Sequence, residues 1–350
     1  MTLARLRASR WWTLLLRPLL FLVVSVVVAS LLVSLVGSVD WGQVRSALGR
    51  LTWTQVPVLL ALLLLRQSFN SVPLAVFVPG LGFARGLQND LTANLVGTVA
   101  PPPGDVVVRV SMFRSWGIAA MDGMPGVTLN SLTFYVIRFG APVLGIVLLV
   151  EHELSTAQVW AAIVSFVVAG LIVAALVVVA RGEAFARLLG RQAGRVAARV
   201  RDDVDAEAWA DAVSRFRERM SERLFRGLPV SLLALGAMVL TDGCVVLASL
   251  RMVGLDGALL PVLFVLGTFL VLYPLTALPL AGLGVLDAAL VVAYAELAGD
   301  AAEPEIVAAL VVWRAVTILG TLALGAATFL RWRWQVRSGR LLPVDTAIRP

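Results

Sequence analysis

The 350-residue sequence reads as an all-α integral membrane protein, with about six full transmembrane helices and two broken, re-entrant hairpins. Three observations lead to that class. The chain is 59% hydrophobic and 15% charged, against about 45–50% apolar and about a quarter charged in soluble domains. Its mean hydropathy is +0.91, and its uncharged apolar runs reach the roughly 20 residues that cross a bilayer as a helix. All 29 basic residues are arginine, and they segregate along the chain as the loops of a membrane protein do. Residues 1–350 are read as a single polytopic membrane domain. The absence of lysine is read as the mark of a GC-rich bacterial genome, and a bacterial inner membrane is the expected location of a helical membrane chain from such a source.

The elements follow in order. Pro18–Val36 is uncharged and is preceded by Arg5, Arg7, Arg10 and Arg17. A cleaved signal peptide has a shorter apolar core and a small-x-small cleavage site, so this run is the first span, with its N-terminus cytoplasmic. Further spans are expected at 55–79, 124–150, 156–180, 228–253 and 305–330. With both termini cytoplasmic, that side collects 23 arginines: 4 in the N-terminal tail, 3 in 81–123, 11 in 181–227 and 5 after Leu330. The opposite side holds Arg45 and Arg50, while Arg66, Arg138, Arg251 and Arg314 lie within or at the edges of spans. This is the positive-inside pattern. Trp11-Trp12 and Arg331-Trp332-Arg333-Trp334 read as anchors at headgroup level.

Residues 181–227 form the expected cytoplasmic helical connector. Arg187, Arg191, Arg195 and Arg199 make one basic stripe. Trp209, Val213, Phe216, Met220 and Leu224 make an apolar stripe at helical spacing. Asp211 with Arg215, and Glu222 with Arg226, are pairs four residues apart. Two readings stand open: an amphipathic hairpin lying on anionic headgroups, or an ordinary connector whose charges face water.

A charge at the centre of a span costs about 2.5–3.5 kcal/mol on insertion scales. Arg66, Arg138, Asp242 and Arg314 therefore need partners or a wet cavity, whereas Arg251 is close enough to a span end to snorkel. The segments 81–120 and 256–300 are apolar but broken. In TVAPPPGDVVVRVSMFRSWG, Thr98–Gly117, three prolines stop a helix and Gly104 permits a reversal. Asp105 then falls in the first turn of the restarted helix, favourably placed against its dipole, with Arg109 four residues on along the same face. In LTALPLAGLGVLDAALV, Leu275–Val291, the break falls at Pro279, Gly282 and Gly284, and Asp287 opens the next helix. Asp105 precedes Arg138 by 33 residues and Asp287 precedes Arg314 by 27. Hairpins entering from opposite sides would form an inverted-topology repeat around a central site. The alternative is two extra full spans, eight in all.

Thr98–Gly117 with Arg138, and Pro279–Asp287 with Trp313-Arg314, resemble the lysylphosphatidylglycerol synthase transmembrane-region family of flippase-like proteins. The resemblance covers about residues 15–335. The family's pattern is a Pro-Gly-x-Gly-Glu-like break, an arginine-bearing span, and a late Pro-x-x-Gly-x-Gly-x-x-Glu break. This chain carries Asp105 and Asp287 where the pattern has Glu. The resemblance implies translocation or handling of a phospholipid or glycolipid. The soluble aminoacyl-transfer domain of the synthase members is not expected, since the chain continues only 20 residues past its last expected span. In that frame Arg138 and Arg314 contact phosphate through planar guanidinium forks. Asp105 and Asp287 hold those arginines or meet a cationic headgroup. Gly104, Gly282 and Gly284 let backbone approach the headgroup, and Pro103, Arg109 and Asp242 complete the expected substrate-binding set.

Other chemistry is not encoded. His152 is the single histidine and sits between Glu151 and Glu153, adjacent positions that rarely share one metal. The single cysteine, Cys244, excludes an internal disulfide and reads as packing. There is no HExxH, P-loop or G-x-S-x-G motif, so neither metal nor cofactor is expected. The arginines follow membrane topology, which argues against nucleic acid. Membrane lipids are the expected partners, with envelope-synthesis enzymes behind them. Two further functions remain: a membrane-embedded enzyme using Asp105 or Asp287 as base, and a non-catalytic scaffold docking through 187–199.

Overall fold

The apolar runs fold as helices, and no strand occurs among the described residues of the computed structural model, which are 41–100, 103–150, 156–182, 191–192 and 206–341. The expected span Pro18–Val36, Trp11-Trp12, the His152 cluster and Arg187, Arg195 and Arg199 lie outside them. In chain order the helices are α1 Trp41–Leu48, α2 Val56–Phe77, α3 Phe83–Val99, α4 Gly104–Ser115, α5 Ala120–Leu148 and α6 Thr156–Arg181. They continue as α7 Ala206–Val253, α8 Val262–Leu272, α9 Val285–Ala298, α10 Glu303–Arg314 and α11 Thr321–Arg337. Among the described residues, four stretches are long and apolar enough to cross a membrane: Val56–Phe77, Ala120–Leu148, Arg223–Val253 and Asp300–Arg337. The shorter apolar piece Ala162–Ala175 lies within α6. There Trp160, Val164, Phe166 and Leu171 are all exposed, the outward apolar face that lipid tails would cover.

α2 packs lengthwise on α7, and α5 packs against α6, α7 and α8. The largest core cluster joins α7, α8, α9 and α10. In it the Phe269 and Trp313 rings meet edge-on with centroids 5.6 Å apart. Close helix crossings rest on glycine, as membrane packing favours. A Cβ on Gly145 of α5 would sit 2.7 Å from the Gly267 carbonyl oxygen of α8, and one on Gly325 of α11 would sit 2.7 Å from the Leu91 carbonyl oxygen of α3.

The second half of the expected connector is helical and runs on into the next span, whose apolar stretch begins at Arg223. α7 runs 48 residues without a break, through Pro229. Arg223 fastens it by donating to the carbonyl oxygens of Asp122 (2.7 Å) and Phe77 (3.5 Å). Packing on α2 therefore continues past residue 228, and the helix has no reason to end there.

Both broken segments are hairpins. α3 packs on α4 and α8 on α9. The four arms, α3, α4, the continuous piece Val262–Ala277 and α9, hold 17, 12, 16 and 14 residues and span about 18–26 Å at 1.5 Å per residue. That is short of the roughly 30 Å hydrocarbon core, so these arms fit re-entrant hairpins better than additional full spans. α10 continues into α11 through a π-helical segment, Ala315–Gly320.

Candidate functional site

The costly charges converge between the two breaks. Arg66 comes from the middle of α2, Arg138 from α5, Asp242 from α7, and Trp313-Arg314 from the end of α10. They line two adjoining lobes. The first, about 390 Å³, is walled by Arg66, Arg138, Asp242, Tyr273, Trp313 and Arg314, among others. The second, about 530 Å³, is walled by Arg66, Asn94, Asp105, Arg109, Asn130 and Arg138, among others. Arg66, Asn94, Thr98, Phe134, Arg138 and Ala281 line both.

Strain marks the second break. After extended Leu278 comes the single turn Pro279–Gly282, where Ala281 has φ +55° and Gly282 φ +70°. An alanine in the left-handed region costs energy that the surroundings must hold. Here the Ala281 carbonyl accepts a hydrogen bond from Arg314 Nη1 at 3.3 Å. A side chain at Gly282 would strike the Leu275 carbonyl oxygen, 2.5 Å from its Cβ. Asp287 then does two things. One oxygen accepts the Gly284 N–H at 2.7 Å and so caps the start of α9. The carboxylate also grips Arg314 bidentately, Nε to Oδ1 at 2.7 Å and Nη2 to Oδ2 at 3.1 Å. The structure thus pairs Asp287 with Arg314.

The first break differs from the sequence expectation. Asp105 falls in the first turn of α4, but it does not pair with Arg109. Arg109 donates instead to Asn89 Oδ1 and Asp90 Oδ1 of α3, both at 2.9 Å. Asn70 of α2 donates to the other oxygen of Asp90. An isolated pair four residues apart on a helix contributes only about 0.2–0.5 kcal/mol. A half-buried network with every member bonded contributes more, so the inter-helix partner wins. Asp105 itself records no hydrogen bond or ion pair among the described residues, and it lines the second lobe. Gly104 does not use left-handed backbone and already stands in the first turn of α4. What Gly104 supplies is room, since a Cβ there would lie 3.0 Å from the Ala100 Cβ.

Asp242 joins three helices. Its Oδ1 accepts from Trp313 Nε1 at 2.9 Å, and its Oδ2 lies 3.2 Å from Arg66 Nη2. Arg66 Nε is buried without a hydrogen-bond partner. Arg138 stands apart from the other cavity arginines. Its guanidinium lies over the Phe134 and Tyr135 rings, 4.5 and 5.3 Å from their centroids. Its Nε is buried and unbonded, and no carboxylate pairs with it among the described residues. The expectation that Asp105 holds Arg138 is therefore not met.

Of the ten expected site residues, Asp105, Arg109, Arg138, Asp242 and Arg314 line the lobes. Asp287 acts through Arg314. Pro103, Gly104, Gly282 and Gly284 shape the breaks without lining either lobe. Sequence reading missed Asn70, Asn89, Asp90 and Asn94. Their signal was present: Arg66, Gln67 and Asn70 fall on one side of an apolar helix, and Asp90 and Asn94 recur four residues apart. Among the described residues, no group of three or more His, Cys, Asp or Glu is arranged to hold a metal. Comparison with curated proteins and with solved structures gave no match. Residues 21–325 match the family described as the lysylphosphatidylglycerol synthase TM region. With its broken hairpins and arginine-lined cavity, the chain belongs to that family of membrane proteins.

Proposed function

We propose that the chain is a flippase-like protein of a bacterial inner membrane, with both termini cytoplasmic, that moves a phosphate-bearing phospholipid or glycolipid between leaflets. The observation that carries this reading is Arg138, a span arginine with aromatic faces beneath it, no carboxylate paired with it among the described residues, and both lobes open to it. Such a cation costs about 2.5–3.5 kcal/mol at mid-membrane, and a headgroup phosphate bound by its planar fork offsets that cost. Arg66 lines both lobes as well and, although Asp242 holds its Nη2 at 3.2 Å, its buried Nε is left unbonded, so it is the second donor. Arg109 and Arg314 are already clamped by Asp90 and Asp287 and shape the field. Polar groups across the two lobes replace the water that a headgroup leaves behind, the main barrier to leaflet exchange. One observation favours an enzyme instead: the Asp105 carboxylate, without a partner among the described residues, lines the second lobe as a base would.

The test is leaflet exchange of fluorescent phospholipids in liposomes holding the purified chain, with the lipids recovered and checked for chemical change. Arg138→Leu should slow exchange about tenfold or more, since a charge-assisted hydrogen bond contributes about 1.5–3 kcal/mol. It should leave the thermal midpoint unchanged or higher, because an unpaired charge has gone. Arg138→Lys keeps the charge, loses the fork, and should fall between. Normal exchange by Arg138→Leu would overturn the reading, and chemically altered lipid would favour the enzyme.

A further inference from the structure

We infer that the protein carries an anionic lipid together with one proton, which Asp105 receives as the phosphate settles on Arg138. This deepens the flippase reading and rests on it. The balance of charge around the cavity carries the argument. Arg66, Arg109, Arg138 and Arg314 line the two lobes, as do Asp90, Asp105 and Asp242, and Asp287 stands behind Arg314. Four positive charges thus meet four negative ones. Three pairs are already made: Arg66 with Asp242 at 3.2 Å, Arg109 with Asp90 at 2.9 Å and Arg314 with Asp287 at 2.7 Å. The fourth is left open. Arg138 and Asp105 line the same lobe, yet no ion pair joins them among the described residues.

An uncompensated charge is costly where little water screens it. Before the lipid enters, the cavity is balanced. A phosphodiester anion seated on Arg138 satisfies that arginine and leaves Asp105 as a second negative charge in the same lobe. The other cations of that lobe are committed, Arg109 to Asp90 and Arg66 to Asp242. The remaining polar groups facing Asp105 add no positive charge: Asn70 from α2, Asn94 from α3, and Asn130, Ser131 and Tyr135 from α5. α3 comes closest to Asp105 at a glycine, since a Cβ on Gly97 would lie 3.4 Å from the Asp105 Cβ. Two like charges sharing one site favour uptake of a proton by one of them. A carboxylate is a stronger base than a phosphodiester, so the proton goes to Asp105. It is drawn from the water on the side where the lipid enters and returns to water where the lipid leaves. A headgroup that carried its own ammonium would bring the missing positive charge and need no proton.

The experiment titrates the full chain in weakly buffered detergent with short-chain phosphatidylglycerol, while a pH indicator counts protons and calorimetry gives affinity. About one proton should be taken up per lipid bound, and affinity should fall as pH rises, by up to about tenfold per pH unit. Asp105→Asn should bind the lipid with no uptake and with an affinity indifferent to pH; circular dichroism and the thermal midpoint verify that it folds. Short-chain phosphatidylethanolamine should bind the wild-type chain with little uptake. In liposomes, a pH gradient should drive phosphatidylglycerol toward the alkaline leaflet through the wild-type chain and not through Asp105→Asn. Binding of phosphatidylglycerol without proton uptake would overturn the inference and leave the phosphate anchor standing. Equal uptake by the wild type and Asp105→Asn, or with both lipids, would overturn it too, as would a lipid distribution that ignores the gradient. Failure of phosphatidylglycerol to bind would refute the anchor at Arg138 and this inference with it.

Discussion

Removing Asp242 tests the central ion pair independently of any substrate. Asp242 is 4% exposed and holds two partners, Arg66 at 3.2 Å and Trp313 at 2.9 Å. Breaking a buried pair by deleting one member costs about 3–5 kcal/mol, because the surviving charge stays behind. Arg66 touches the cavity, so solvent softens that figure toward its lower end, about 3 kcal/mol. Asp242→Leu also strands the Trp313 N–H, a further loss of about 1–3 kcal/mol for a buried unsatisfied donor. Arg66→Leu leaves Trp313 bonded and so should cost only the first of these. The double variant removes both charges and retains only the stranded indole, so it should be the mildest of the three. Equilibrium unfolding in mixed micelles with increasing dodecyl sulfate, followed by circular dichroism, gives all three values. The expected order of cost is Asp242→Leu, then Arg66→Leu, then the pair together. Additive single losses would mean that the two side chains do not interact, and the argument from their geometry would fail.

Glycine crossings supply a second prediction. Gly145→Ala should destabilise by about 1–3 kcal/mol, as overpacking does, because its Cβ would press on the Gly267 carbonyl oxygen at 2.7 Å and the Val271 nitrogen at 2.8 Å. Gly140→Ala on the same helix meets nothing within 4 Å and should be neutral or stabilising by up to about 1 kcal/mol, which thermal unfolding distinguishes. Asp287→Asn should loosen the second break by weakening both the Arg314 clamp and the Gly284 cap. A cysteine at Leu283, which lines the first lobe, should then react faster with a water-soluble maleimide in a Cys244→Ala background. Reporter fusions after residues 227 and 340 should behave as cytoplasmic and one after residue 150 as external; an external signal at 340 would reverse the proposed orientation.

Much of this architecture was legible because the bilayer makes certain residues conspicuous. Proline and glycine inside apolar segments announced both breaks, and Asp287 with Arg314 could be matched by their repeated placement. The membrane also made Arg66, Arg138, Asp242 and Arg314 stand out, as charges where charge is costly. Their pairing was less legible. Local spacing offered Asp105 to Arg109, yet Asp90 on the facing arm lies 2.9 Å away, and only the closing of the hairpin reveals it. Asp242 reaches Arg66 across 176 positions of sequence, a separation on which periodicity is silent. The unbroken course of α7 through residue 228 was hidden too, because arginines that resemble a soluble connector also tolerate a helix emerging from a span.

The π-helical segment between α10 and α11 has a consequence for chain length. A π turn carries one residue more than an α turn, so Ala315–Gly320 absorbs an insertion without changing the phase of the helix on either side. On one side that phase aims Trp313 and Arg314 at Asp242 and Asp287. On the other it aims Thr321 at Gln67, Gly325 at Leu91, and Trp332 at Ser115. If the same residues wound as regular α-helix, one half would rotate against the other by about 100°, and one of the two sets of contacts would be lost. If one of them, such as Ile318, were deleted, the turn could relax to α geometry with both sets still in register. The same deletion a few residues later, inside α11, has no slack to draw on and would turn Trp332 away from Ser115. The helix is thus indifferent to its residue count at one place only, beside the arginine that faces the cavity.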